Sequence, residues 1–205
     1  MSKDELRNLY QYRYDNILTL IADKLEVYIR ELIKGYPRID RVSARAKSPD
    51  RFLSKADKIE DSQPKYSEPL SQIQDQIGAR IITFYLSDIE PISKIIEGYF
   101  APIEERIIVP DSVNEFGYEG KHYVLFIPKE LLTPDLPKEH CPVFFELQIK
   151  TLFEHAWAEA NHDLAYKPQS ALNPEHRRKV AFTAAQAWGA DFIFNQLVTE
   201  LGVIQ

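Results

Sequence analysis

Apolar residues recur at helical spacing over the first part of the chain, from residue 5 to residue 34. Gly35-Tyr36-Pro37 then supplies residue types that end helices, so the pattern predicts an N-terminal helix within residues 1–36. Ser48-Pro49 predicts the start of a second helix, because serine caps helices and proline is tolerated at the first helical position.

The middle of the chain alternates between strand-like and helix-like segments. Residues 61–69 are polar with two prolines and predict a mobile loop. The whole predicts one α+β domain over residues 1–205, in which a mixed sheet of four to five strands is flanked by helices. Its parts are an N-terminal helix (1–36), a core (37–167) and a C-terminal helix (174–205). The predicted strands are 42–46, 80–86, 106–109, 122–127 and 143–150, and the predicted core helices are 48–58, 88–100 and one that starts at Thr151.

Residues 143–150 alternate with period two, so successive side chains point to opposite faces of a strand. Every second residue from Val143 is apolar and is predicted to face the core. The other face carries the carboxylate of Glu146, the amide of Gln148 and the ammonium of Lys150. Such a row can hold a metal and a phosphate, and it can equally be the solvent-facing side of an antiparallel strand.

The segment from Asp75 to Arg80 is a second candidate. Asp75 offers a hard oxygen ligand for Mg²⁺, and Arg80 offers a bidentate phosphate ligand. Gly78 between them permits a tight backbone path. The other interpretation is a turn that enters a strand, with Asp and Gly present for turn chemistry alone.

Arg45 and Lys47 alternate along a strand, and Lys55 lies two helical turns after Ser48. This set can clamp a triphosphate, with the planar guanidinium stacked on a base and the helix N-terminus adding anion affinity. The basic residues between positions 38 and 58 are mixed with acidic ones, so a solvated face is the competing interpretation.

Two further features carry chemistry. Tyr118 lies between Gly117 and Gly120, where it can stack on a purine or fill the edge of the core. On the helix after Thr151, which has the capping-box pattern Thr-Leu-Phe-Glu, three residues lie on one face at metal-ligand spacing. We favour supporting hydrogen bonds over direct metal binding for these three, which are His155, Glu159 and His162.

Composition limits the location and the partners. The net charge of −6 argues against a domain that wraps nucleic acid. Cys141 is the only cysteine, so no intramolecular disulfide forms. No apolar stretch is long enough to cross a membrane and the N-terminus carries charges, so we expect a cytoplasmic protein.

In sequence order these pieces resemble the synthetase domain of the RelA/SpoT family, the alarmone synthetases, and in length its small single-domain members. The resemblance spans roughly residues 45–167. The matching segments are Arg45-Ala-Lys47-Ser48 with Lys55, Asp75-Gln-Ile-Gly78-Ala-Arg80, Gly117-Tyr118 through His122-Tyr123, Glu146-Leu-Gln148-Ile-Lys150-Thr151, and His155 through Lys167.

The resemblance implies a nucleotidyltransferase-like synthetase fold and a Mg²⁺-dependent transfer of the β,γ-diphosphate of ATP to the 3′-hydroxyl of GDP or GTP. It implies that Asp75 and Glu146 are the catalytic, Mg²⁺-associated carboxylates. Arg45 would stack on the ATP adenine, and Lys47, Ser48, Lys55 and Arg80 would hold its phosphates. Tyr118 would stack on the acceptor purine, and the other acceptor-side residues would be Lys121, His122, Gln148 and Lys150.

The sequence departs from the family pattern on the acceptor side. Glu119 and Gly120 follow the tyrosine, Lys150 stands where arginine is usual, and residues 109–118 contain no lysine or arginine. Two other functions therefore stay open: a toxin-type pyrophosphokinase acting on the tRNA 3′ end or an adenine nucleotide, and a catalytically silent nucleotide-binding regulator. Among partners, the resemblance adds a homo-oligomer, tetrameric in relatives and built through terminal helices. It adds an antitoxin if the protein is of the toxin type.

Overall fold

The computed structural model describes residues 2–112, 115–132, 135–166 and 172–202, with the side chains of residues 165 and 166 excepted. Its helices are α1 (Lys3–Arg13), α2 (Thr19–Leu32), α3 (Pro49–Ala56), α4 (Pro69–Gln72), α5 (Ile89–Tyr99), α6 (Leu152–Tyr166) and α7 (Pro174–Glu200). Its strands are β1 (Ile39–Ala46), β2 (Ile59–Glu60), β3 (Gln63–Pro64), β4 (Ile77–Thr83), β5 (Pro102–Ile108), β6 (Gly120–Phe126) and β7 (Phe144–Thr151).

Five strands form one mixed sheet in the order β1-β4-β7-β6-β5. β4 and β7 are parallel, with Gly78 opposite Glu146, and the other neighbouring pairs are antiparallel. This architecture confirms the predicted α+β fold. Lys167 and residues 203–205, which belong to the predicted core and C-terminal helix, lie outside the described residues.

Several predicted boundaries differ from the structure. β4 begins at Ile77 rather than at residue 80, and β5 begins at Pro102 rather than at residue 106. The segment predicted as a mobile loop, residues 61–69, contains the turn and the second strand of the two-stranded hairpin β2–β3 and ends at the start of α4. Its turn residues, Asp61 and Ser62, have φ values of 50° and 64°, the left-handed conformation that two-residue hairpin turns require.

The predicted N-terminal helix is interrupted. A π-helical turn, Tyr14–Leu18, separates α1 from α2, and the Thr19 hydroxyl donates to the Tyr14 carbonyl at 3.0 Å. Both helices contribute to the same hydrophobic core as the sheet. At the start of that core the ring of Tyr10 stacks on Phe52 of α3 with centroids 3.7 Å apart.

The apolar face of the sheet forms the core, as the period-two pattern of β7 predicts. Phe145, Leu147 and Ile149 are fully buried. Val143 is 57% exposed, so its predicted core position is wrong, because it precedes the paired part of β7. Within the described residues, no helix combines the length and hydropathy needed to cross a bilayer.

A buried ion pair secures the end of the sheet beside β1. Asp88 is fully buried, and Arg38 donates to it from Nη2 at 2.8 Å and from Nε at 2.9 Å. The Tyr36 hydroxyl donates to the same carboxylate at 2.9 Å. Removing one partner of such a pair leaves the other group without compensation for its lost hydration.

We therefore expect Asp88→Asn to lower the free energy of unfolding by roughly 2–4 kcal/mol. Urea denaturation measures the change. The matched control is Asp40→Asn, which breaks the exposed pair with Arg41 and should cost less than about 1 kcal/mol. Equal effects of the two substitutions would contradict a special role for the buried pair.

Candidate active site

The polar face of the sheet places residues from all five strands in adjacent rows. In one row Arg80 lies beside Gln148, which lies beside His122 and then Arg106. In the next row Arg45 lies beside Gly78, which lies beside Glu146. The predicted candidates on β1, β4, β6 and β7 thus share one face, with the exception of Lys121. Gly78 lies within β4, not in the tight backbone path or turn that the sequence suggested. A Cβ at this position would meet no atom within 4 Å, so the glycine leaves open space on this face of the sheet.

Asp75, two residues before the start of β4, is held between two lysines. Its Oδ2 accepts from Lys47 Nζ and from Lys55 Nζ, each at 2.9 Å. Burial raises the pKa of the Asp75 carboxyl, but the two ammonium groups outweigh burial and hold that pKa below its usual value. The backbone supports this arrangement, because the Lys47 carbonyl accepts from the Tyr10 hydroxyl at 2.9 Å.

The donor-side cavity lies over β1, β4 and the start of α3, and its volume is about 790 Å³. Burial lowers the pKa of Arg45, and the charges of Arg80 and Arg51 lower it further. This mutual repulsion marks a site with excess positive charge, suited to a polyanion. Ser48 caps α3 by position but makes no side-chain capping hydrogen bond. The cavity is lined by residues that include Arg45, Lys47, Ser48, Arg51, Asp75, Arg80, Glu146, Gln148 and His162.

Residues of α6 close the outer edge of this cavity. Glu159 Oε1 pairs with Arg80 Nη1 at 2.8 Å, which fits the predicted supporting role. His155 has its Nδ1 buried without a hydrogen-bond partner, and burial lowers its pKa. Within the described part of the chain, no group of three or more His, Cys, Asp or Glu side chains is arranged to hold a metal ion.

Glu146 is the other central carboxylate. Its Oε1 lies 3.0 Å from Nδ1 of His122, whose Nε2 lies 2.8 Å from the Tyr118 hydroxyl. Burial raises the pKa of Glu146, but the hydrogen bond and charge of His122 outweigh it and leave that pKa lowered. Glu146 is therefore ionised at neutral pH and able to accept a proton.

Tyr118 folds back against β6 instead of projecting from its loop. A Cβ at Gly120 would lie 2.6 Å from the Tyr118 hydroxyl, so only glycine leaves room for this position. Lys150 Nζ lies 4.9 Å from the centre of the ring. Lys150 is itself buried, and burial together with the charge of Arg80 lowers its pKa to about 8.

Lys121 does not join the predicted acceptor residues. It neighbours His122 on β6 and therefore points to the opposite face of the sheet, where it pairs with acidic residues of α5 and β5. These partners are Glu90, Glu97 and Glu105, at 3.4, 3.3 and 3.0 Å. Its predicted acceptor-binding role is therefore wrong, and its role is structural.

Gln148 also differs from its predicted place on the acceptor side, because it lines the donor-side cavity.

A second cavity, the acceptor-side cavity of about 380 Å³, lies over β5 and β6. It contains cations that the sequence analysis did not assign: Lys58 and Lys65 beside the β2–β3 hairpin, and Arg106 on β5. The Lys65 amide donates to the Lys58 carbonyl at 2.8 Å, which holds these two residues together. The order of the strands and the position of the hairpin, which the sequence pattern does not give, bring them into the same cavity as Glu146.

The site fits a Mg²⁺ ion at the boundary of the two cavities, which both include Asp75 and Glu146. Asp75 Oδ1 is buried and has no hydrogen-bond partner, whereas Oδ2 is occupied by both lysines. A buried, unsatisfied carboxylate oxygen is an available hard ligand. Mg²⁺ commonly binds through one or two carboxylates together with substrate phosphates.

Glu154 anchors the loop that carries Tyr118. Its backbone N–H donates to Thr151 Oγ1 at 3.2 Å, which is the predicted capping bond. Its carboxylate, however, accepts from the Glu119 amide at 3.2 Å instead of reaching back to the cap. Burial raises the Glu154 pKa to about 7. Asp191 of α7, which accepts from Thr151 Oγ1 at 2.6 Å, has its pKa raised by burial to about 6.

Fold and site together define an α+β domain with a cluster of cations around two carboxylates on one face of its sheet. Residues 44–171 match the family described as the region found in RelA / SpoT proteins. The chain therefore belongs to the RelA/SpoT family.

Individual relatives agree with this assignment. GTP pyrophosphokinase YjbM of Bacillus subtilis (strain 168) is 29% identical over 134 residues, which are 63% of this chain and 57% of that protein. The matched region is thus less than two thirds of that relative. The structure of small alarmone synthetase 1 from Bacillus subtilis has a TM-score of 0.74 at 24% identity, over 95% of this chain and 97% of that one. The same protein bound to its product pppGpp gives 0.70 at 25% identity, over 87% and 91%.

The raised pKa of Glu154 leads to a prediction for stability. The folded state keeps the proton at pH values where the unfolded chain has lost it, so the free energy of unfolding falls as pH rises from 4.5 to about 7. Glu154→Gln carries no titrating proton and should reduce this fall by on the order of 2 kcal/mol. Urea denaturation at about pH 5 and about pH 8 measures it. Glu31→Gln, on the exposed side of α2, is the control and should leave the pH dependence of the wild type in place.

Proposed function

We propose that the protein is a Mg²⁺-dependent GTP/GDP pyrophosphokinase. It transfers the β,γ-diphosphate of ATP to the 3′-hydroxyl of GDP or GTP, makes (p)ppGpp and releases AMP. The observation that carries the proposal is that two cation-lined cavities meet at the carboxylates of Asp75 and Glu146. The family membership and the activities in the names of the relatives support it.

ATP occupies the donor-side cavity in this proposal. Arg45 stacks on the adenine, and Lys47 and Arg80 hold the phosphates, with Ser48 at the N-terminus of α3. Lys55 lines the acceptor-side cavity and holds the phosphates from the far side of Asp75, which it contacts. The repulsion among the guanidinium groups of Arg45, Arg51 and Arg80 supports this assignment, because bound phosphates relieve it.

The acceptor nucleotide occupies the acceptor-side cavity. The cations of Lys58, Lys65 and Arg106 hold its phosphates and replace those that the segment before Tyr118 lacks. This charge suits a nucleoside diphosphate or triphosphate, so the lack of cations before Tyr118 is no longer a reason to prefer another acceptor. Family membership and the relatives' names then favour GDP or GTP over an adenine nucleotide or tRNA. Tyr118 stacks on the purine after its hydroxyl leaves His122.

Glu146 accepts the proton of the 3′-hydroxyl, which attacks the β-phosphorus while AMP leaves. The lowered pKa of Glu146 keeps it ionised for this step, and His122 orients its carboxylate through the 3.0 Å contact. Mg²⁺, held by Asp75 and Glu146, would supply charge neutralisation on the phosphates. Lys47 and Lys55 position Asp75, so most of the rate enhancement derives from alignment and electrostatic stabilisation.

The defining experiment incubates the protein with γ-labelled ATP and Mg²⁺ plus GDP, GTP, ADP or deacylated tRNA in separate reactions. We expect a labelled 3′-diphosphate product from GDP and GTP. Asp75→Asn should reduce the rate by at least about a thousandfold, because it removes the charge that both lysines and the metal require. Asp57→Asn, which changes the exposed partner of Lys3, is the control and should retain activity. Label on tRNA alone, or no product with any acceptor, refutes the proposal.

The acceptor assignment has its own test. Lys58→Gln combined with Arg106→Gln should raise the KM for GDP by roughly tenfold or more, since each lost charged hydrogen bond costs about 1.5 kcal/mol or more. The KM for ATP should stay within about twofold, because these residues do not line the donor-side cavity. Steady-state kinetics with each substrate varied gives both values. Lys34→Gln, on the surface after α2, is the matched charge control, and an equal rise in both KM values would count against the assignment.

A further inference from the structure

A third cavity, which we call the peripheral cavity, lies away from the carboxylates of the active site. Its volume is about 740 Å³, and its walls are α1, residues 67–76 and residues 138–144. It shares no lining residue with the donor-side cavity and only Gln74 with the acceptor-side cavity. This size is typical of sites for small organic ligands.

A buried cation lies in its wall. Arg13 is 4% exposed, and its guanidinium donates from Nε to the His140 carbonyl at 2.8 Å and from Nη1 to the Leu70 carbonyl at 3.5 Å. Carbonyl groups accept hydrogen bonds but do not neutralise charge. Across the described ranges Arg13 forms no ion pair, although Glu68 and Glu139 line the same cavity.

This arrangement is costly without a ligand. Burial lowers the pKa of Arg13, which shows that the charged form is penalised by lost hydration. Buried arginines in proteins are normally paired with an anion. The natural compensation here is an anion in the cavity.

A second buried polar atom lies in the same wall. Gln76 is 3% exposed, and its Nε2 donates to the carbonyls of Leu70 and Ile73 at 2.8 and 2.9 Å. These bonds fix the orientation of the amide and leave Oε1 buried without a partner. Buried acceptors are rarely left unsatisfied, so this atom calls for a hydrogen-bond donor.

We propose that the peripheral cavity binds a small organic anion. A phosphate or carboxylate group of the ligand pairs with Arg13, and an apolar body packs against Leu9 and Leu70. A donor group of the ligand, or a water molecule bound with it, reaches Gln76 Oε1. No role in diphosphate transfer is required for this binding, so the proposal stands independently of the proposed function.

The cavity is also connected to the active site through the backbone. The Gln76 carbonyl accepts from the Lys47 amide at 2.8 Å, and Gln76 directly follows Asp75. A ligand in contact with Gln76 therefore touches the segment that positions the Asp75 carboxylate.

Cys141 provides a reporter, because it is the only cysteine, is partly exposed and lines this cavity. The experiment follows carbamidomethylation of Cys141 by iodoacetamide, a neutral reagent, using mass spectrometry of the intact protein. The probes are inorganic phosphate, guanosine monophosphate and octanoate. We expect guanosine monophosphate or octanoate to slow the reaction about fivefold at a concentration of about four times its Kd.

Two variants and a control distinguish the cavity from other binding. Arg13→Gln should abolish the protection, whereas Arg7→Gln, an exposed arginine on the same helix, should keep it. Val143→Trp fills the cavity from an exposed lining position without changing Arg13, and it should also abolish protection. Circular dichroism confirms that each variant is folded.

The outcomes are decisive in both directions. Protection by guanosine monophosphate alone identifies a phosphate ligand, and protection by octanoate alone identifies a carboxylate ligand. The proposal is overturned if no probe slows the reaction by more than about twofold at millimolar concentration. It is also overturned if folded Arg13→Gln or folded Val143→Trp is protected as well as the wild type. Because alkylation of Cys141 does not depend on diphosphate transfer, the result can be interpreted even if the protein has no pyrophosphokinase activity.

Discussion

The parallel pairing of β4 with β7 determines where the reactive groups of this protein meet. Because Gly78 lies opposite Glu146, the segment that enters β4 and carries Asp75 arrives beside Glu146. The antiparallel strands on either side, β1 and β6, then bring Arg45 and His122 to the same face. A shift of this pairing by one residue would turn every side chain of the shifted strand to the other face, so the two carboxylates would no longer meet on one face.

The polar face is electrostatically strained and the opposite face provides the stability. Burial and neighbouring positive charge lower the pKa values of Lys150 and Arg45, whereas two lysines stabilise the charged form of Asp75. Such displaced groups cluster at functional sites, because a site prepared for a polyanion and a metal holds uncompensated charge beforehand. The apolar side of the sheet, where Leu147 and Ile149 are fully buried, supplies the hydrophobic stabilisation that makes this tolerable.

The sequence predicted the elements that depend on local patterns. The alternation in β7 placed Glu146, Gln148 and Lys150 on one face, and the residues around Ser48 and Thr151 marked the starts of α3 and α6. The error at Lys121 concerns strand parity: Tyr123 and Leu125 are buried on the same face as Lys121, so the apolar alternation of β6 contained the information to exclude it.

Other features depend on contacts between distant parts of the chain and left no local signal. Arg106 reaches the acceptor-side cavity because β5 pairs with β6 at the edge of the sheet, and Lys58 does so through a hairpin of two residues per strand. The folded-back position of Tyr118 requires both Gly120 and the partner His122. The sequence showed these residues side by side but not the direction in which the ring turns.

The π-helical turn between α1 and α2 has a consequence for how this chain tolerates insertions and deletions. An α-helix advances about 100° per residue, so a turn that accommodates an additional residue rotates everything before it relative to everything after it. Arg13 and Leu9 precede the turn and face the peripheral cavity, whereas Thr19 and Ala22 follow it and face the donor-side cavity. Loss of one residue from Tyr14–Leu18 would restore a regular helix and turn the two halves out of phase. A single regular helix could then no longer place residues in both the peripheral cavity and the donor-side cavity. The π-helical turn therefore allows one N-terminal segment to line both cavities.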